Sequence, residues 1–591
     1  MLRFGRYSLS VLVCICFLAA CQSGAPVAPP TATATAAPIV EPSPTPHPTT
    51  VPPTATPTLA PTATIVPLDL VAAEARAPQV TSPVGLDGVL VSGSGDMPWW
   101  NDAVFYEIFM RSFYDSDGDG IGDLNGLIEK LDYLNDGNPA TTDDLGVTGI
   151  WLMPIMASPS YHGYDVTDYY TVNPQYGTNE DFKRLMAEAH ERGIAIIIDL
   201  VLNHTSAQHP WFIEAQDPNS DRHDWYLWRE TGGAGWHRLG SAYYFGLFWD
   251  QMPDLNFENP AVTHEMLNVT RFWLEEMGVD GFRLDAIKHL IEEGEQTENT
   301  GATLDWFKEF YTFYKGIDPQ AFAVAEVWSP TSIVAQYTAG KVDVCFEFDL
   351  AEAIREAAFR ARTGSLLVAQ ENVIAAYPPG QYATFLANHD QTRTRSTLMN
   401  DEQAKVAATL QLTFPGIPFI YYGEEIGMQG AKPDENIRRP IQWTPDGGFS
   451  TGTPWRGYYE DYATRNITTQ DATPDSLLNH YRALVALRNT HAALRIGDWR
   501  PVAAEPRSVY SYVRTYEDEV VLVVVNLSGQ VVADYTLTLA KGPFTAAHTP
   551  AWLIGEGELY LPPVNAVGGF DAYRPIAVLP PYSSTVIQFM P

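Results

Sequence analysis

The stretch Ile194-Ala-Ile-Ile-Ile-Asp-Leu200, entered from the run Asn179 to Arg192, decides the fold. In the first run Phe182, Leu185, Met186 and Ala189 recur at helical spacing, which predicts an amphipathic helix. The second is apolar almost throughout, without the polar alternation of a sheet that has one wet face. Such strands, separated by helices, belong to a parallel sheet covered on both sides. The same unit recurs at Val104-Met110, Gly149-Pro154, Val279-Asp285, Phe322-Val327, Val342-Phe348, Ala383-Asn388 and Ile417-Tyr422. Eight repeats predict an α/β fold, a closed (β/α)8 TIM barrel. A doubly wound open sheet is the alternative that the pattern leaves.

Outward from this unit the pattern breaks twice. The gap between the third and fourth strands is longer than one helix needs, and it holds Trp211, Trp225, Trp228, Trp236 and Trp249 among glycines. An inserted subdomain is expected at about 205–262, with most of these tryptophans in its core. After Arg495 come short alternating strands, Ser508-Arg514 and Val520-Val525 among them, which predict an antiparallel β-sandwich over 496–591. The barrel domain is then 79–495. No repeat of 20 to 50 residues stands out.

The bulk numbers agree with a large folded body. Of 591 residues, 45% are hydrophobic and 12% aromatic, which excludes a wholly disordered chain. Lys and Arg total 36 against 71 Asp and Glu, a formal charge of −35. A surface that acidic repels phosphate backbones, so no nucleic-acid partner is expected. Cys345 is the one cysteine outside the N-terminal segment, so the body has no disulfide framework. A buried strand thiol is expected there.

Residues 1–20 read as a signal peptide: Arg3 and Arg6, then the apolar run Leu9 to Ala20. The boundary Leu18-Ala-Ala-Cys21 resembles a bacterial lipobox, which implies cleavage before Cys21 and its acylation; an ordinary signal peptide is the alternative. From Gly24 to Pro67, 13 prolines and 11 threonines accompany a single ionisable acid, Glu41. Proline fixes φ and removes donors, and nothing large and apolar is present to bury. Residues 21–78 are therefore expected to form an extended tether with a reach on the order of 100 Å. The chain is expected to be exported and lipid-anchored on the outside of the bacterial membrane or envelope, and to touch membrane through that anchor alone.

In a barrel of this kind the active site gathers at the carboxyl ends of the strands. The third strand ends Asp199-Leu-Val-Leu-Asn203-His204. The fourth reads Gly281-Phe-Arg283-Leu-Asp285-Ala-Ile-Lys288-His289, the fifth Ala325-Glu326-Val-Trp328, and the seventh Asn388-His389-Asp390. Three carboxylates from three strands meet at one mouth. Glycosidic hydrolysis needs a nucleophile and an acid/base, about 5 to 5.5 Å apart when configuration is retained.

These segments resemble the α-amylase family, glycoside hydrolase family 13, in order and residue identity. Gly146-Val-Thr-Gly-Ile-Trp-Leu-Met-Pro154, Met252-Pro-Asp-Leu-Asn256 and Gly416-Ile-Pro-Phe-Ile-Tyr-Tyr-Gly-Glu424 extend the match, which covers about residues 97 to 591. The resemblance implies that Asp285 is the nucleophile, Glu326 the general acid and then base, and Asp390 the transition-state stabiliser. Arg283, two residues before Asp285 on the same strand face, can keep that carboxylate ionised. Glu326 must hold its proton near neutrality, so burial and neighbouring carboxylates should raise its pKa. His204 and His389 would donate to sugar hydroxyls, with Tyr164 in His162-Gly-Tyr-Asp165 as the aromatic platform.

The segment Asp115-Ser-Asp117-Gly-Asp119-Gly-Ile121-Gly-Asp123 sets oxygen donors at alternate positions around glycines, which suits Ca²⁺, with Ile121 offering its carbonyl. An EF-hand would need a glutamate where Gly126 stands; the loop instead resembles the calcium loop of oligo-1,6-glucosidase-like members. A solvated acidic turn is the alternative. A second calcium near Asn203 is left open.

Within the family, three features lean towards an endo-acting α-amylase that cleaves internal α-1,4-glucosidic bonds of starch and maltooligosaccharides. Lys288-His289 follows the nucleophile segment, as in α-amylases. Position 162 is histidine where exo-acting relatives carry an aspartate that pairs with an arginine matching Arg439. A tether is expected before the barrel, where neopullulanases and cyclomaltodextrinases typically carry a folded β domain. The signature at 252–256 is intermediate, which keeps neopullulanase, cyclomaltodextrinase or α-glucosidase action with mixed α-1,4/α-1,6 specificity as an alternative. A glucanotransferase and a non-catalytic starch-binding lipoprotein stand further off. A monomer is expected.

Overall fold

The protein, seen in a computed structural model, is described over residues 93–95 and 97–591. The expected signal segment, Cys21 and the tether at 21–78 lie outside the described residues. All eight expected strands form: β1 (Phe105–Ile108), β2 (Gly149–Leu152), β3 (Ala195–Leu200), β4 (Gly281–Leu284), β5 (Phe322–Ala325), β6 (Val344–Phe346), β7 (Tyr382–Thr384) and β8 (Ile417–Tyr421). They close into a parallel barrel in the order β1-β8-β7-β6-β5-β4-β3-β2. Every residue of β1 to β8 is buried, which is why the runs carry almost no polar alternation. The helix before β3 spans Asn179–Glu191; Thr178 caps it and Asp181 reciprocates, and it buries Phe182, Leu185, Met186 and Ala189 as its spacing predicts.

Large side chains fill the barrel. Phe105 and Phe419 stack at 4.6 Å, and Trp151 packs on Phe346 at 5.4 Å. Trp99 and Trp100, ahead of β1, both pack against Phe322, at 5.9 and 5.2 Å, and close the end of the barrel from which the strands start. That end carries packing, leaving the other for chemistry.

The insert after β3 holds the helix Pro210–Ala215 and a three-stranded antiparallel sheet of Trp228–Arg229, Trp236–Leu239 and Ala242–Phe245. Trp211 and Trp225 are buried, Trp228 and Trp236 half-buried and Trp249 exposed, so only part of the expected aromatic core is interior. A short antiparallel pair after β2, Met156–Ala157 with Asp168–Val172, carries the loop with Tyr164.

The C-terminal region has seven antiparallel strands: β9 (Asp498–Glu505), β10 (Val509–Tyr516), β11 (Glu519–Asn526), β12 (Thr536–Leu539), β13 (Thr549–Ile554), β14 (Phe570–Tyr573) and β15 (Ser584–Met590). They form one sheet, β13-β15-β11-β10-β9-β12-β14, rather than two separate ones. β9 pairs with β10 through 498–502 and with β12 through 503–505, so it carries the chain from one leaf to the other. Val513, Leu522 and Ile587 from one leaf share a core with Leu537 and Phe570 from the other, so the packing is that of a sandwich.

Candidate active site

Ladder register assembles the site. β3 and β4 pair with Asp199 opposite Arg283, and β4 and β5 with Leu284 opposite Ala325, so Asp285 and Glu326 leave adjacent strands side by side. Arg283 is fully buried and becomes the hub. Its Nη1 donates to Asp199 Oδ1 at 2.9 Å and to Asp285 Oδ1 at 2.6 Å, and its Nη2 donates to Glu326 Oε2 at 2.5 Å. One guanidinium thus holds three carboxylates in a dry pocket. Its attraction offsets only part of the cost of keeping three negative charges out of water.

That imbalance acts on Glu326. Burial pushes its carboxyl upward, Arg283 pulls it back, and Asp285 and Asp390 push it up again; the net shift is upward. The sequence-based expectation of a raised acid is met by the cause it named. Burial also raises Asp199 against the pull of Arg283. Ala286, directly after Asp285, sits at φ 47°, a left-handed conformation costly for a residue with a Cβ. Its N–H donates to Glu326 Oε2 at 3.2 Å, so the backbone turn helps hold the acid beside the nucleophile position.

The other side is built around His389. Its Nδ1 lies 2.6 Å from Glu107 Oε1 on β1, and its Nε2 lies 2.6 Å from the Tyr164 hydroxyl and 3.2 Å from Asp390 Oδ2. Burial disfavours a charge on His389, but Asp390 and Glu107 outweigh it and push the imidazole up to about 9. Burial works against an ionised Asp390 as well, yet His389 and Arg438 hold it well below the usual carboxylate range. Arg438 Nη2 donates to Asp390 Oδ1 at 2.9 Å. Tyr164 stacks on His389 at 5.6 Å and on His162 at 6.2 Å, and donates to Asp199 Oδ2 at 3.1 Å.

His204 is buried, and its Nε2 has no hydrogen-bond partner, a free ring nitrogen for a hydroxyl. Burial lowers its pKa, which favours the neutral ring. Phe248, half-exposed in the insert, meets His204 and His289 edge-on at 5.4 and 5.7 Å. Lys288 Nζ lies 2.6 Å from Glu298 Oε2 and donates to the Trp328 carbonyl at 3.0 Å, at the rim of the site. All ten expected catalytic and sugar-contacting residues therefore gather around one mouth.

Three residues escaped the sequence reading: Asp199 as a partner of Arg283, Glu107 and Arg438. Glu107 had a usable signal, a carboxylate inside an otherwise apolar run. Arg438 stands beside Arg439, which drew attention instead. Arg439 donates to the Tyr458 carbonyl at 3.0 Å and to Asn436 Oδ1 at 2.9 Å, and meets no carboxylate among the described residues.

The acidic loop brings three of its five expected donors together. Carboxylate oxygens of Asp115, Asp117 and Asp123 lie within 4.8 Å of one another. Burial would raise Asp115, but the Ser450 hydroxyl and the N–H groups of Gly118 and Gly120 bring it below its ordinary value, which keeps it ionised. Three oxygen donors converging this closely fit a hard cation such as Ca²⁺. Asp119 departs from the expected set: its Oδ1 turns back to accept the Ile121 N–H at 2.8 Å, outside the three-carboxylate cluster. Near Asn203, the signature residue Asp254 is buried with its Oδ2 unpartnered, and burial raises it to about 8. Cys345 is a buried thiol on β6, as expected.

A family model described as the alpha-amylase catalytic domain matches residues 107–497. Alpha-amylase 3 of Dictyoglomus thermophilum is 42% identical over 443 residues, covering 73% of this chain and 86% of that protein. Trehalose synthase/amylase TreS of Mycolicibacterium smegmatis is 36% identical over 496 residues, covering 71% and 81%. Among solved structures, the α-amylase from H. orenii aligns at a TM-score of 0.73 and 40% identity, over 82% of this chain and 99% of that one. The chain belongs to the alpha-amylase family, glycoside hydrolase family 13, and is a glycoside hydrolase of the α-amylase type.

Proposed function

We propose that the enzyme cleaves internal α-1,4-glucosidic bonds of starch and maltooligosaccharides with retention, in two displacements. The observation that carries this is the arginine hub: one buried guanidinium joins the carboxylates at 285 and 326 on adjacent strand ends. In the first displacement Asp285 attacks the anomeric carbon while Glu326 gives its proton to the leaving oxygen. In the second, Glu326 takes a proton from water, which attacks the same carbon and releases Asp285. Asp390, held ionised by His389 and Arg438, accepts hydroxyls of the sugar at the cleavage point as its ring flattens. His389 and His204 donate to that sugar, Tyr164 and His162 form its aromatic wall, and Lys288 and His289 take the leaving side. The size distribution of products from long amylose tests the endo action.

A second reading, mixed action on α-1,4 and α-1,6 or other α-glucosidic bonds, is favoured by the likeness to a trehalose synthase/amylase. Among the described residues no helix is long and apolar enough to cross a membrane. The anchor we propose is the acylated Cys21, holding an exported, monomeric catalytic body by its Pro/Thr-rich tether.

Ca²⁺ is proposed at Asp115, Asp117 and Asp123, where it would tie the loop after β1 to the segment carrying Ser450. Its role is structural, since none of these residues reaches the arginine hub. Chelation is expected to lower the melting temperature by several degrees. At free calcium a hundredfold above its dissociation constant the lost stability is about 2.7 kcal/mol. Asp117 is exposed, so Asp117→Ala should fold and should melt at the same temperature with or without chelator. A wild-type transition that chelator leaves unmoved contradicts the site.

A further inference from the structure

β1 reads Phe105-Tyr-Glu-Ile108, and its one carboxylate, Glu107, is 2% exposed and takes no part in either displacement. A buried acid in an apolar strand is costly unless something in the fold needs its charge. What it meets is His389, and the donors and acceptors around that ring fix how many protons it holds.

Both ring nitrogens face acceptors. Nδ1 lies 2.6 Å from Glu107 Oε1, and a carboxylate can only accept, so Nδ1 carries a proton. Nε2 lies 2.6 Å from the Tyr164 hydroxyl and 3.2 Å from Asp390 Oδ2. The hydroxyl directs its own proton to Asp199 Oδ2 at 3.1 Å, and Asp199 also accepts from Arg283 at 2.9 Å. The phenol oxygen is therefore an acceptor on the side of His389, and Nε2 carries a proton too. A neutral imidazole has a single N–H. A ring that donates from both nitrogens is an imidazolium.

The charges agree. Glu107, His389, Asp390 and Arg438 are two anions and two cations in contact, and they sum to zero. Burial alone would strip the ring of its charge; Asp390 and Glu107 reverse that and push it up to about 9. The ring also acts on Asp199 on β3 and Glu326 after β5, and Arg438 Nε donates to the His389 carbonyl at 3.0 Å. Without the charge at 107, this set would keep an excess cation in a dry site. A guanidinium does not give up its proton, so the ring must. A lone pair would then face Asp390 Oδ2 and the Tyr164 oxygen where an N–H stood.

Resting on the hydrolytic reading above, we propose that Glu107 is a positioning residue for the reaction. From β1 it keeps His389 an imidazolium, and through that ring it holds Asp390 ionised and turns the Tyr164 proton towards Asp199. The stabiliser thus depends on a carboxylate that lies behind the ring and touches no sugar.

The charge of the ring can be read directly by nitrogen NMR of histidine-labelled protein, with the signal assigned by its loss in His389→Gln. In the wild type both nitrogens should stay protonated up to about pH 8. In Glu107→Gln the amide oxygen can still accept from Nδ1, but the ring should titrate at least about one pH unit lower, a tenfold loss in proton affinity. Activity supplies a second reading. Glu326→Gln has no titrating acid, so its kcat/KM on an aryl maltotrioside whose aryl group leaves as the phenolate should be flat from pH 5 to 8. Adding Glu107→Gln should introduce a fall of about tenfold over that range as the ring loses its charge. A wild-type ring that is neutral at pH 7, a Glu107→Gln ring that titrates like the wild type, or a flat profile in the double variant overturns the proposal. If Glu107→Gln does not fold, the wild-type titration decides alone. The titration needs no turnover, so a failure to cut amylose internally would overturn the endo reading and leave this one standing.

Discussion

Asp285→Asn is expected to lower kcat on amylose by at least about 10⁴-fold, the scale on which removing a nucleophile from a concerted site acts. The substitution exchanges one oxygen for an amide nitrogen of the same shape, so packing is conserved while the nucleophile is lost. The fold should survive for an electrostatic reason. Arg283 faces three carboxylates, and after the change it still has Asp199 at 2.9 Å and Glu326 at 2.5 Å. Removing one anion from an over-anionic buried cluster does not leave an uncompensated cation, which is the case that costs several kcal/mol. The variant should therefore melt near the wild-type temperature and still bind glucan. Turnover close to wild type would mean that another group attacks the anomeric carbon.

Glu326→Gln is expected to cost about 10² to 10⁴-fold in kcat, the usual share of a positioned acid and base. The pH profile gives the sharper reading. Glu326 acts first in its protonated form, and burial, Asp285 and Asp390 raise its pKa above the ordinary carboxylic value. Wild-type activity should hold while that proton is present and fall as pH rises through the raised value. An amide does not titrate, so the variant's residual activity should lack this alkaline limb. If the limb persists unchanged, the proton comes from some other residue.

The barrel was legible because each strand is buried on both faces and so carries a short, nearly unbroken apolar run. The polar residue that breaks such a run, Asp199 in β3 or Glu107 in β1, is there to meet a partner. Which partner is not local information. His389 joins Glu107 from 282 residues away, and Arg283 joins Asp199 from 84. Family resemblance supplied the roles of Asp285, Glu326 and Asp390, but not the arginine on Asp390: Arg438 and Arg439 are equivalent in sequence until the chain turns one inward. β7 is shorter than its apolar run, because the segment from Phe385 to Asp390 leaves the ladder to deliver His389 and Asp390 to the mouth. In the acidic loop, spacing alone could not show that Asp119 satisfies its own turn.

The most direct measurement is the size distribution of products over time from long amylose, with calcium present. Internal cleavage predicts that mean chain length collapses early, while little sugar has been released, and that the products are mixed maltooligosaccharides. Steady release of glucose or of one short product, with the remaining chains almost full length, would contradict it.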